Sequence, residues 1–129
     1  MSNFDDAIKI KNNALVSQLI KDVLTSKITV AEALLQFPHD ADDIDFKCAF
    51  DALAHLEADE DIRKKDSEYS QVQDEYLLNI AESLSSNQPL PKNIVMEYYK
   101  YHNDNLISNM DWKMSLKNIV ISLKRMINF

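Results

Sequence analysis

The chain has 129 residues, 46% of them hydrophobic and 27% charged, with a formal net charge of −7. That is ordinary globular usage and enough length for one domain with a buried core, so an intrinsically disordered chain is not expected. It contains no glycine, which excludes P-loops, Rossmann fingerprints, glycine-rich kinase lids and nucleophile elbows, and speaks against hairpin-rich sheets.

The first amphipathic stretch runs from about Phe4 to Leu24. Ile8, Leu15, Val16, Leu19, Ile20, Val23 and Leu24 recur at helical spacing and are expected to face inward. Thr29-Val30-Ala31-Glu32 reads as a capping box that opens a short helix, Val30 to Phe37, closed by Pro38. His39-Asp40-Ala41-Asp42-Asp43 is a polar connector, and Asp42 or Asp43 is placed to cap a third helix. Phe46, Ala49, Phe50 and Leu53 form the buried stripe of that helix. It is expected to continue past Ile62 into Arg63-Lys64-Lys65, cations that suit the negative end of a helix dipole.

A fourth helix follows from about Ser67 to Leu84, with Tyr69, Val72, Tyr76, Leu77, Ile80 and Leu84 expected inward. Ser85 to Pro91 is the clearest loop, and Pro91 suits the first position of the next helix, where its missing N–H costs nothing. From Lys92 the pattern is helical through Ile94, Tyr98 and Tyr101, loosening near His102-Asn103-Asp104-Asn105. Leu106 to Phe129 reads as a last helix, or a helix pair restarting at Asp111 as N-cap, with Leu106, Ile107, Met110 and Met114 on one sector. Trp112, Leu116, Ile119, Val120, Leu123 and Ile127 fall on another, a phase change near Asp111 that suggests a mild kink. No segment alternates with period two, so the expected fold is all-α: one domain, a compact bundle of five to six helices.

Charge is segregated along this plan. Residues 40–68 hold eleven acids against four bases, whereas residues 92–129 hold six bases against three acids. An acidic centre repels phosphate backbones, so no nucleic-acid partner is expected; it attracts basic proteins instead. No apolar run approaches the roughly 18 residues that a bilayer requires, so no membrane partner is expected either. Met1 to Asp6 has neither a basic nor an apolar leader region, and one cysteine, Cys48, permits no intrachain disulfide. Both point to a cytoplasmic setting. Cys48 is expected away from the apolar centre of its helix, with no base near it in sequence that would make it a nucleophile.

Three groups of residues bear on chemistry. Asp51, His55 and Asp59 are spaced four apart and share a polar strip, a histidine between two carboxylates, although one helix supplies too few ligands for a metal. Glu57 and Glu60 continue the apolar stripe, and with Asp61 they have the spacing that gathers oxygens on one helical face, a set suited to Mg²⁺ or Mn²⁺. That arrangement resembles the E-x-x-E motif of the all-helical nucleotide pyrophosphohydrolases of the MazG type. The resemblance covers about five residues, and no second E-x-x-D motif follows. It implies that a second acidic helix would complete the site, with Asp74 or Glu75 as its candidates. Nor is there a Glu-x-x-His of the kind found in di-iron bundles. Finally, Tyr98, Tyr99, Tyr101 and His102 cluster; Tyr98 and Tyr101 fit a core stripe, which leaves Tyr99 as the candidate for a contact surface. Trp112 and the methionines Met96, Met110, Met114 and Met126 fit core filling better than an adaptable groove.

No complete catalytic set emerges. The expectation is a non-enzymatic interaction module, a regulator, adaptor or immunity-type inhibitor, that binds a basic protein through Asp59, Glu60, Asp61 and Tyr99. The alternative is a Mg²⁺- or Mn²⁺-dependent hydrolase of a phosphorylated small molecule or nucleotide, with Glu57, Glu60 and Asp61 as metal ligands. A homo-oligomeric structural subunit is a third.

Overall fold

A chain without glycine must close its helices with other residues, and it does so in the same way twice. The computed structural model describes residues 3–38 and 43–102. Among them the first helix, α1 (Asn3–Leu24), ends where Ser26 takes a left-handed conformation, φ 62°. The Lys27 amide then donates to Asp22 O at 2.8 Å and the Ser26 amide to Val23 O at 3.0 Å, the paired bonds of a Schellman closure. Asn87, φ 56°, closes α5 (Ser67–Ser85) identically, with Gln88 donating to Ser83 O and Asn87 to Leu84 O. Asparagine and serine tolerate this region less easily than glycine, and here the surrounding bonds hold them in it.

The remaining elements are α2 (Val30–Leu35), α3 (Ile44–Ala58), α4 (Glu60–Lys65) and α6 (Lys92–His102); no strand occurs among the described residues. The all-α expectation holds. The Thr29 capping box is present with both reciprocal bonds, and Asp43 caps α3 by accepting from the Asp45 amide at 2.9 Å. The connector before α6 falls where expected, but Pro91 stands one residue ahead of the helix and not at its first position. No helix among the described residues is long and apolar enough to cross a membrane. The expected segment Leu106–Phe129, with Trp112 and three of the four candidate methionines, lies outside the described residues.

Helix α3 is central and packs against each of the other five, while α1 lies along α5 in the most extensive pairing. The core joins Val16 and Ile20 of α1, Leu34 of α2, Phe50 and Leu53 of α3, and Ile80 of α5, each almost fully buried. Phe37 and Phe50 meet edge to face at 5.6 Å and 86°. At the other side of α1, Lys9 pairs with Asp43 and lies 3.4 Å from Asp45, its ammonium over the Phe46 ring at 4.3 Å.

Six inward assignments differ, and two of them are on α6, where Tyr101 and Met96, expected in the core, are 71% and 69% exposed. Ile8 and Leu15 are exposed, because the buried face of α1 runs through Asn13, Val16, Ser17 and Ile20. Ser17 donates to Ala81 O at 2.8 Å, a small polar contact that lets α1 and α5 approach closely and so fixes which face turns in. Tyr69 and Val72, on the expected stripe of α5, are 37% and 63% exposed. Two further corrections concern α3. Cys48 is not peripheral but 3% exposed within the core cluster. Nor does the helix run through to Lys65: Asp59 (φ −94°, ψ 14°) interrupts it, and α4 is a separate turn beyond.

Candidate functional site

Helices α5 and α6 both pack on α3 without packing extensively on one another. The gap between them is a cleft of about 420 Å³ floored by α3. Among the described residues its ionisable lining is acidic, Asp51 and Asp59 from the α3 side and Glu97 from α6, with His55 beside them and no lysine or arginine. Its apolar lining is wet at the rim, where Val72 stands on one wall and Tyr101, 71% exposed, on the other.

Asp51 organises the α3–α6 side. Its Oδ1 lies 2.9 Å from His102 Nε2 and its Oδ2 lies 3.5 Å from His55 Nε2. The expected histidine between two carboxylates is thus a carboxylate between two histidines. His102 also stacks on Tyr98, with ring centroids 4.4 Å apart and planes at 20°, which fixes the end of α6 against α3. Nothing in the local sequence could connect Asp51 with His102, because they are 51 positions apart.

Asp59 turns the other way. It accepts from the Tyr69 hydroxyl at 2.6 Å and from Gln73 Nε2 at 2.8 Å, and that bond to a carboxylate holds the Tyr69 phenol above its usual range. One step further, Arg63 donates to Asp74 at 2.8 Å, to Gln73 Oε1 at 2.9 Å and to Ser70 O at 3.1 Å. These polar contacts clamp α4 onto the first half of α5, a helix pair with no buried residue on the α4 side.

At the middle of α5, Tyr76 lines the cleft. Burial, then the nearby Glu97, Cys48 and Asp51, push its phenol up to about 12. Glu57 is held above the ordinary carboxylate range, first by partial burial and then by the charge of Glu60.

The residues expected to bind a metal are divided between two helices. Glu57 belongs to α3, Glu60 and Asp61 to α4, and the break at Asp59 falls between them. The spacing argument assumed one continuous helix. Glu60 pairs instead with Lys64 at 3.2 Å, and Asp74, a candidate for the second acidic helix, with Arg63. Among the described residues no group of three or more His, Cys, Asp or Glu is placed to hold a metal ion.

The acids expected to meet a partner are distributed more usefully. Glu60 and Asp61 are exposed, and a shallow concavity of about 370 Å³ adjoins the start of α5. Asp66, Glu68 and Glu75 border it around Tyr69 and Val72, again without a basic residue among the described lining. Tyr99 is exposed on α6, its ring against Tyr98, and lines neither hollow. Between residues 57 and 75 there are eight acids and three bases, and two of those bases, Arg63 and Lys64, are held in ion pairs.

Compared with protein-family models, with curated proteins and with solved structures, the chain matches none.

Proposed function

We propose that the chain is a cytoplasmic protein-interaction module that docks a basic partner on the acidic ridge formed by α4 and the first half of α5. The observation that supports this is the concavity in which Asp66, Glu68 and Glu75 surround exposed Tyr69 and Val72, with no cation among the described residues of its lining. Apolar contact area ringed by one sign of charge suits an interface in which the apolar centre supplies affinity and the charges supply encounter rate. Glu60 and Asp61 extend the field along α4. Asp59 serves differently, since its carboxylate is engaged by Tyr69 and Gln73 and positions the ridge instead of facing outward.

The test therefore leaves Asp59 in place. Affinity capture with the native chain identifies the partner, and its association is then followed for a Glu60→Gln, Asp61→Asn, Glu68→Gln variant. Association is expected to slow about tenfold at low salt, with a flatter dependence on ionic strength. Equal rates and equal salt slopes for the two chains would remove the ridge as the docking surface.

A further inference from the structure

The cleft between α3, α5 and α6 is a different surface from the ridge and shares only Tyr69 and Val72 with it. It combines an acidic floor with apolar walls that stand open, and Val72 continues the stripe that is fully buried further along α5 at Leu77, Ile80 and Leu84. Among the described residues nothing covers the Val72 end of that stripe, and a stripe of this period suits a counterpart. We infer that the counterpart is the chain's own segment 103–129, which docks into this cleft.

Three observations converge on that occupant. The first is connectivity. The α6 wall ends at His102, whose ring is held on Asp51 of the cleft floor, so residue 103 starts at the cleft's own edge. A tethered segment meets the site at an effective concentration that a free partner of equal affinity does not reach. The second is charge. Among the described residues the cleft lining carries Asp51, Asp59 and Glu97 and no lysine or arginine, whereas 103–129 carries Lys113, Lys117, Lys124 and Arg125 against Asp104 and Asp111. The third is apolar pattern. Trp112, Leu116, Ile119, Val120, Leu123 and Ile127 recur at helical spacing, a stripe that needs a surface to bury it. The inference shares Tyr69 and Val72 with the ridge, but its readout is Trp112 in the chain alone, so its failure is distinguishable from failure of the ridge.

Trp112 is the chain's one tryptophan and reports on the segment directly. Acrylamide quenching of its fluorescence in the full chain is expected to be several-fold weaker than in the same chain unfolded by urea. Val72→Arg, at a position already mostly exposed, places a bulky cation in the mouth of the cleft and should raise the quenching several-fold. Val72→Leu keeps the apolar wall and should leave it unchanged. Thermal unfolding that stays cooperative in Val72→Arg separates displacement of the segment from failure to fold. A native Trp112 as accessible as in urea overturns the inference, and so does shielding that Val72→Arg leaves intact. Shielding that disappears on dilution also overturns it, because the cleft is then filled by a second copy of the chain.

Discussion

The two halves of α5 are held by different physics. Its C-terminal half presents Leu77, Ile80, Ala81 and Leu84 to α1 and α3, all buried, and closes on Asn87, whose Oδ1 accepts from Asn13 of α1 at 3.0 Å. Its N-terminal half has no buried residue; Asp59 and Arg63 hold it from α3–α4 through hydrogen bonds. The apolar period does not change between the halves, only what lies opposite it. Burial removes surface from water at about 25 cal/mol per Å², while partly exposed polar pairs contribute little net stability. The contrast assigns stability to one half of the helix and leaves the other available for contacts.

The widest gap between the halves should appear in truncation. Leu84→Ala leaves a cavity at a fully buried position and is expected to cost about 2–5 kcal/mol in urea unfolding. A loss under about 1 kcal/mol would mean that the α1–α5 side is loosely packed, and the contrast would collapse. At the other half, Arg63→Met keeps the aliphatic stem and removes three donated bonds. About 1 kcal/mol of global stability is expected to go, since the group is partly exposed. Its sharper signature is local. Amide exchange should accelerate through α4 and Ser67–Gln73 while residues 77–84 stay protected. Uniform acceleration along α5 would show that the two halves open as one unit.

The fold was legible wherever the signal was local. Thr29 with Glu32, Asp43 as a cap, and the Ser85–Pro91 break are contacts or conformations set within a few residues, and each is found where the spacing puts it. The missing glycine also pointed correctly to helices, although it hid the two left-handed closures at Ser26 and Asn87, which nothing in their residue types demands. Assignments failed where a distant partner decides. Ser17 turns α1 because Ala81 lies across from it, and Asp59 interrupts α3–α4 while engaged by Tyr69 and Gln73. The same holds for the candidate site. Asp59, Glu60 and Asp61 were visible as an acidic run, but Asp59 proves to be a structural acceptor, and another helix brings Glu97 into the cleft and His102 onto Asp51. A wheel drawn through one segment cannot contain either fact.

Tyr76 sits where the two halves of α5 meet and carries the smallest expected effect. Its phenol lines the cleft, pushed from about 10 to about 12 by burial first and by Glu97, Cys48 and Asp51 after it. The folded chain therefore keeps this proton at pH values where the unfolded chain has released it. Below pH 10 both states are protonated and the group is neutral to stability. Between pH 10 and about 12 folding becomes progressively less favourable on account of Tyr76. Tyrosinate absorbance of the folded chain should lose a late step, near pH 12, in Tyr76→Phe, and the variant's stability should fall less steeply over the same interval. Glu97→Gln should move that step toward lower pH by a smaller amount, because burial is the larger cause. A Tyr76 that titrates near 10 would mean that water reaches the middle of α5, and the boundary between its buried and open halves would have to be drawn closer to Leu77.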